Sequence, residues 1–265
     1  MPKILPFKAV RPTRDKVSLV ASRSYDSYTP EQREARLRDN PFSFLHIVNP
    51  GYKYQKKTSK DQRYALARNR YEEFKEAGIF KKDEKPSFYI YKIVNRDGLV
   101  FNGIVATASI LDYKNNVIKR HEDTLKVREH TMKEYLKAVG FNAEAILLTY
   151  PDSPPLAQVM QKTMRARAEY EFTTTYRDTH YVWVVTAAAT CRTIQNAFQK
   201  MDALYIADGH HRCASSSLLA SEHKKESPGR TGNENHDRFM SFLIPESNMK
   251  IYEYNRLVKD LNGLS

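Results

Sequence analysis

The sequence predicts a mixed β-sheet covered by helices, a fold of the α+β or mixed α/β class. Segments with strand and helix patterns alternate along the 265 residues, and an Asp-Gly turn indicates that a hairpin interrupts the alternation. Hydrophobic residues make up 41% of the chain and charged residues 28%, which is typical of a globular protein with a substantial core and excludes a disordered chain.

The first predicted element is a helix that begins at residue 30. Thr29-Pro30-Glu31-Gln32 provides a capping side chain, a proline at the first helical position and a glutamine that completes a capping box. Asn40-Pro41 ends this helix, because the residue before a proline avoids helical backbone angles. Residues 42–48 are apolar and lie between prolines, which predicts a short buried strand. The first 25 residues show no clear period.

A second helix and a hairpin follow. Ser59-Lys60-Asp61-Gln62 again has the capping-box pattern, apolar residues then recur at helical spacing, and Gly78 predicts the end of the helix. Residues 87–94 and 99–110 have strand patterns, and Asn95-Arg96-Asp97-Gly98 between them predicts the turn of a β-hairpin.

The rest of the chain alternates between the two patterns. Helices are predicted at 129–139, from 154 towards 171, at 192–200 and at 211–221. Strands are predicted at 143–149, 181–186, 204–207, 238–244 and 250–255. Residues 222–237 are rich in Lys, Ser, Gly and Asn, which predicts a polar loop.

Glycine and cysteine content exclude several classes of site. The nine glycines form no G-x-G-x-x-G and no P-loop pattern, which argues against a Rossmann dinucleotide site and a P-loop. The two cysteines, Cys191 and Cys213, are too few for a disulfide framework and are expected to be reduced thiols packed near helices. No apolar run is long enough to span a membrane and the N-terminus lacks a signal-peptide core, so we expect a cytoplasmic protein.

The net charge of +12, from 43 basic and 31 acidic residues, allows two interpretations. A basic protein can bind nucleic acid, and one loop interleaves basic and aromatic residues as a nucleic-acid groove does. These residues are Lys53, Lys56, Lys57 and Lys60 with Tyr52 and Tyr54. Other basic residues are spread along the chain and no helix-turn-helix with a basic face is evident, so a solvated basic surface is the favoured interpretation.

One segment, residues 204–212, combines residue types that bind anions. An apolar strand runs into Asp208-Gly209, then two histidines, an arginine and a helix. Such a turn places free backbone N–H groups at the positive end of a helix dipole, glycine permits close approach of a ligand, and arginine matches the geometry of phosphate. We predict an anion site formed by Asp208, Gly209, His210, His211 and Arg212. The alternative is that Asp208 only caps the helix and the histidines are ordinary surface residues.

Phosphoryl transfer would also need a residue that orients or deprotonates the acceptor. The candidates for this catalytic role are Asp26, His121 and Glu122, which lie in polar turns. Each has a structural alternative: Asp26 can bond to its own backbone in a turn, and His121 with Glu122 can be a solvated surface pair. No histidine follows Glu122 at the spacing of a zinc-protease motif, so we predict no metal ligands.

The chain as a whole resembles the domain-of-unknown-function 1015 family. The matching segments are Leu5-Pro6-Phe7-Lys8-Ala9, Tyr25-Asp26, Asn40-Pro41, Phe44-Leu45-His46, and residues 118–124, 204–212 and 256–264. Asp208 to Arg212 also resembles the D-G-H-x-R motif of the ParB/sulfiredoxin-like superfamily, in which this turn binds phosphate groups. The chain departs from the family pattern at Arg23-Ser24, Arg120 and Cys213. Family members are longer, so residues 1–265 resemble a single N-terminal region.

The resemblance implies phosphate or nucleotide handling. The superfamily includes ParB partition proteins, which bind nucleotide and DNA, sulfiredoxin, which uses ATP, and free-serine kinases. The leading hypothesis is therefore an enzyme that transfers a phosphoryl group from ATP or ADP, with Mg²⁺ as a candidate cofactor, to a small hydroxylated metabolite such as free serine. Asp26 or Glu122 would be the base or bind Mg²⁺. The alternatives are a ParB-like nucleic-acid-binding protein and a non-catalytic sensor of a phosphorylated metabolite.

Overall fold

A computed structural model describes residues 1–48, 50, 58–226, 235–253, 255 and 257–260. The strands in this part of the chain are β1 (Ile4–Leu5), β2 (Val10–Pro12), β3 (Phe80–Lys82), β4 (Phe88–Val94), β5 (Val100–Ser109), β6 (Ile118–Lys119), β7 (Ile146–Tyr150), β8 (Tyr170–Thr173), β9 (Thr179–Val185), β10 (Leu204–Asp208) and β11 (Arg238–Pro245). The helices are α1 (Val17–Val20), α2 (Pro30–Asp39), α3 (Leu45–Val48), α4 (Lys60–Glu76), α5 (Ile110–Lys114), α6 (Lys126–Val139), α7 (Pro154–Met164), α8 (Ala188–Gln199) and α9 (His210–Glu226).

The central sheet has the strand order β6-β10-β7-β11-β5-β4-β9-β8, and β1 pairs with the end of β5. Strands β6 and β10 are parallel, as are β7 and β11, whereas the other neighbours are antiparallel. Strands β2 and β3 form a separate small ladder. This mixed sheet with covering helices confirms the predicted fold class.

The main core joins the central sheet to three long helices. Leu156 and Met160 of α7, Ile194 and Phe198 of α8, and Cys213 of α9 are buried in one cluster with side chains of the sheet. Burying a side chain such as the fully enclosed Phe198 contributes about 1.5–3 kcal/mol. The sheet is therefore held rigidly against the helices that follow its strands.

The local signals for helix ends and for the hairpin are confirmed. The side chains of Thr29 and Ser59 both accept a hydrogen bond from the backbone N–H three residues later. The side-chain oxygen of the glutamine at that position accepts a bond from the N–H of the capping residue, so both capping boxes are formed. Gly78 follows the end of α4 in a left-handed conformation with φ 68°, as predicted. Strands β4 and β5 pair as the predicted hairpin.

Three predictions about single elements are wrong. Residues 42–48 do not form a strand. The Ser43 hydroxyl accepts a hydrogen bond from the Leu45 N–H, and the short helix α3 buries the side chains of Leu45 and Ile47 instead. Helix α7 ends at Met164 rather than near residue 171, and the segment after it supplies β8, which pairs with β9. The described residues of the span 250–255 contain no strand.

Other predictions have mixed outcomes. Helix α9 continues to Glu226, five residues beyond its predicted end, and the rest of the predicted polar loop up to residue 234 lies outside the described residues. Of the basic loop, residues 52–57 also lie outside them. Cys191 and Cys213 are free and buried, as predicted. None of the described helices is both long enough and apolar enough to cross a bilayer.

Candidate functional site

The parallel pairing of β6 and β10 brings two distant segments to one edge of the sheet. Leu204 pairs with Ile118 and Tyr205 with Lys119, so the two strands run in the same direction and the residues after each of them leave the sheet at the same end. The residues that follow β6 include His121 and Glu122, and those that follow β10 include Asp208 and Gly209. Ligand sites in sheets of this kind lie beyond the carboxyl ends of the strands. The two predicted groups of site residues therefore meet here.

The turn from β10 into α9 leaves backbone donors unpaired by the helix. The N–H of Cys213 donates to the carbonyl of Gly209 at 2.9 Å, which makes Gly209 the residue that caps the helix. The N–H groups of the next three residues, His210 to Arg212, consequently lie outside the hydrogen-bond ladder of α9. Helix α9 is 17 residues long, so its dipole adds positive potential at this end.

Arg212 is fixed across the turn by two carboxylates. Its Nη1 lies 2.5 Å from Glu144 Oε2, and its Nη2 lies 2.5 Å from Asp208 Oδ2. A Cβ atom at Gly209, whose φ is 100°, would lie 2.9 Å from Arg212 Nε. Only glycine fits this position without moving the guanidinium. Among the described residues, the buried Nε of Arg212 has no hydrogen-bond partner.

His210 lies beneath the turn and contacts both residues from the end of β6. Its side chain is only 5% exposed, and its Nδ1 lies 3.5 Å from Glu122 Oε2. Its ring packs edge-on against that of His121, with centroids 4.5 Å apart. Burial lowers the pKa of His210, and the neighbouring His121 lowers it further, so His210 is neutral near pH 7.

His211 and Glu122 are placed on the outer side of the same group. The Nε2 of His211 accepts a hydrogen bond from the N–H of Leu125, which ties the start of α9 to the loop after β6. Glu122 is 60% exposed, so its carboxylate is accessible to a ligand at the turn. The arrangement thus combines a basic helix end, one neutral buried histidine and one accessible carboxylate.

Asp26 does not join this group. It lies in a single helical turn, Tyr25–Ser27, and Tyr25 packs against the buried cluster of Tyr28, Leu37 and Leu45, as does Tyr176, which lies between β8 and β9. In the sheet order β8 is six strands from β10, about 29 Å at the usual spacing. The pairing directions also place the β8–β9 turn at the opposite end of the sheet from Asp208. The structure therefore separates Asp26 from the other predicted residues.

One neighbour of the turn could not be found from the sequence. Glu144 reaches Arg212 from the segment before β7, a strand that pairs with β10, and no motif marks it. Cys213 follows the motif directly, but it is fully buried, and burial raises its pKa to about 12. It is an inert core thiol rather than a nucleophile.

Metal binding by the protein alone is not supported at this site. Across the described part of the chain, no group of three or more His, Cys, Asp or Glu side chains is arranged to hold a metal ion. The residues present therefore do not by themselves fit a Mg²⁺ ion, and we derive no step through one.

Comparison with known proteins identifies one family. The model of a family described as "Protein of unknown function (DUF1015)" matches residues 4–265. Neither the curated proteins nor the solved structures contain a match to the chain.

Proposed function

The chain belongs to the DUF1015 family of proteins of unknown function, and we propose that it uses the β10–α9 turn to bind the phosphates of ATP or ADP. We propose further that it transfers a phosphoryl group to a small hydroxylated metabolite, with free serine as the first candidate. The proposal rests mainly on one observation: His121 and Glu122 both contact His210, the first residue of α9, at the helix end that has unpaired N–H groups.

Phosphate binding follows from the donors at the turn. The three N–H groups at the start of α9 and the dipole of that helix favour an anion. Arg212 adds a guanidinium, and each of its Nη atoms keeps one N–H beyond its bond to Asp208 or Glu144 that can donate to a phosphate oxygen. Its ion pairs with Asp208 and Glu144 hold it in place before a ligand arrives, which lowers the entropic cost of ordering it on binding.

Glu122 is the residue we propose to orient and deprotonate the acceptor hydroxyl. Its carboxylate is accessible and lies 3.5 Å from Nδ1 of His210, the first residue of α9. In the tautomer with hydrogen on Nδ1, neutral His210 presents an N–H to Glu122 Oε2 across this distance, and this contact limits the motion of the carboxylate. This division of roles, with one group for the phosphates and another for the acceptor, is what phosphoryl transfer requires.

Thermal unfolding with ATP and with ADP tests the binding step. A nucleotide at about a hundred times its Kd stabilises a protein by about 2.7 kcal/mol, which raises Tm by roughly 5–10 °C. We expect this rise for the wild type and its loss in Arg212→Ala. The matched control is Arg96→Ala, because Arg96 lies in the β4–β5 turn at the other end of the sheet.

Product analysis by ³¹P NMR tests the reaction. With ATP or ADP and free serine or other hydroxylated metabolites, the wild type is expected to form a phosphate ester. Glu122→Gln is expected to bind nucleotide normally but to turn over at least about 100-fold more slowly, because a general base usually contributes that much to the rate. Binding without any product would identify a sensor instead of an enzyme, and the absence of any nucleotide-dependent rise in Tm would refute the proposal.

A further inference from the structure

A second concave site lies well away from the β10–α9 turn. It is a cleft of about 690 Å³ between α7, the segment that leads to β8, strand β9 and the first turn of α8. Strand β9 is next to the far edge strand of the sheet, five strands from β10. The volume falls within the range of small-molecule sites, about 300–1,000 Å³.

Part of the lining of this cleft is apolar and includes a fixed indole. Trp183 lines it together with Val159, Ala168 and Ala189. The indole N–H of Trp183 donates to the carbonyl of Ala166 at 2.8 Å, and the side chain is 7% exposed. This indole has no donor left for a ligand, so it offers a ligand only its apolar surface.

The rim of the cleft is positively charged. Lys162 and Arg167 line it, and neither has an ion-pair partner among the residues that the structure describes. Among the described residues of the lining, Glu169 is the single carboxylate, and it is already paired with Arg11 at 2.9 Å and Arg14 at 2.9 Å. The uncompensated charge at the rim therefore favours an anion.

We propose that this cleft binds a small organic anion with a flat, apolar body, such as an aromatic carboxylate or an aromatic phosphate ester. The ring would lie against Trp183 and its neighbours, and the anionic group would face Lys162 and Arg167. The hydroxyl of Thr190, in the first turn of α8, lines the same cleft and adds a polar contact. This site is independent of the proposed nucleotide site.

The sequence provides a direct probe, because Trp183 is the one tryptophan of the 265 residues. Its fluorescence is measured while the full chain is titrated with benzoate, with phenyl phosphate and with neutral benzamide, and calorimetry repeats each titration. Saturable binding of an anion, at least about tenfold tighter than benzamide, is expected if charge selects the ligand. The benzoate and phenyl phosphate arms decide whether the anionic group is a carboxylate or a phosphate.

Substitution of the rim cations tests the assignment. The double variant Lys162→Gln/Arg167→Gln is expected to weaken anion binding by about fivefold or more, since each exposed ion pair makes a modest contribution. Arg165→Gln is the matched control, because Arg165 is also exposed and lies between the two but does not line the cleft. The proposal would be overturned if benzamide bound as tightly as the anions, or if the double variant bound the anions as tightly as the wild type. The absence of both heat and a fluorescence change would overturn it as well.

Discussion

Replacing Gly209 by alanine tests the close contact between Gly209 and the Arg212 guanidinium, on which the candidate phosphate site depends. The backbone at Gly209 has φ 100°, and a Cβ there would lie 2.9 Å from Arg212 Nε and 3.1 Å from Nη2. Alanine therefore brings two separate costs. One is backbone strain, and the other is displacement of a guanidinium that is bound to Asp208 and Glu144.

The two costs have different sizes. An L-residue with positive φ is destabilised by about 1–2 kcal/mol. Displacing Arg212 loses two partly exposed ion pairs, each contributing about 0–1 kcal/mol. We expect Gly209→Ala to lower the free energy of unfolding by about 2–3 kcal/mol.

Urea unfolding of a small set of variants separates these terms. Gly98→Ala is the control for backbone strain, because Gly98 has φ 79° and a Cβ there would meet nothing within 4 Å. It should cost about 1–2 kcal/mol. In an Arg212→Ala background the guanidinium is absent, so Gly209→Ala should cost about 1 kcal/mol less than it does in the wild type.

Comparing the cost of Gly209→Ala in the wild type and in the Arg212→Ala background shows whether the glycine and the arginine are coupled. If Gly209→Ala costs the same with and without Arg212, the glycine is required for backbone conformation alone and does not make room for the arginine. A cost no larger than that of Gly98→Ala would contradict the reasoning as well. The nucleotide-dependent rise in Tm should be lost together with the arginine contact.

Three further predictions test other parts of the molecule. Thr29→Ala should lower the free energy of unfolding by about 1 kcal/mol in urea, whereas Ser153→Ala, at a helix start with no side-chain cap bond, should change it little. Two lysines of α6 hold the pKa of Glu222 at about 2. The stabilisation that Glu222 provides is therefore present above its unfolded pKa near 4.5 and is lost as the pH falls towards 2. The Tm difference between wild type and Glu222→Gln should shrink over that pH range, and a constant difference would contradict the pairing. Burial raises the pKa of both Cys191 and Cys213, so Ellman's reagent at pH 8 should modify neither thiol in the native protein and both in urea, and rapid modification of the native protein would show that one is accessible.

Local signals predicted much of the fold because they depend on neighbours in the chain. The capping boxes at Thr29 and Ser59 are formed by residues three apart, and the hairpin turn at Asn95 to Gly98 by four consecutive residues. Errors arose where distant contacts decide the conformation. Strand β8 lies in the span predicted as the end of a helix, and its pairing with β9 determines its structure.

Residues adjacent in the chain account for the strand, turn and helix of 204–212, because the apolar run, Gly209 and the polar helix start follow one another directly. Which other residues join that turn depends on strand pairing. Parallel pairing of β6 with β10 brings Glu122 and His121 to it, and antiparallel pairing of β7 with β10 brings the segment that carries Glu144. The same strand order places Asp26 far away. The physical reason is that strand neighbours are chosen by burial of the whole sheet, which no local pattern encodes.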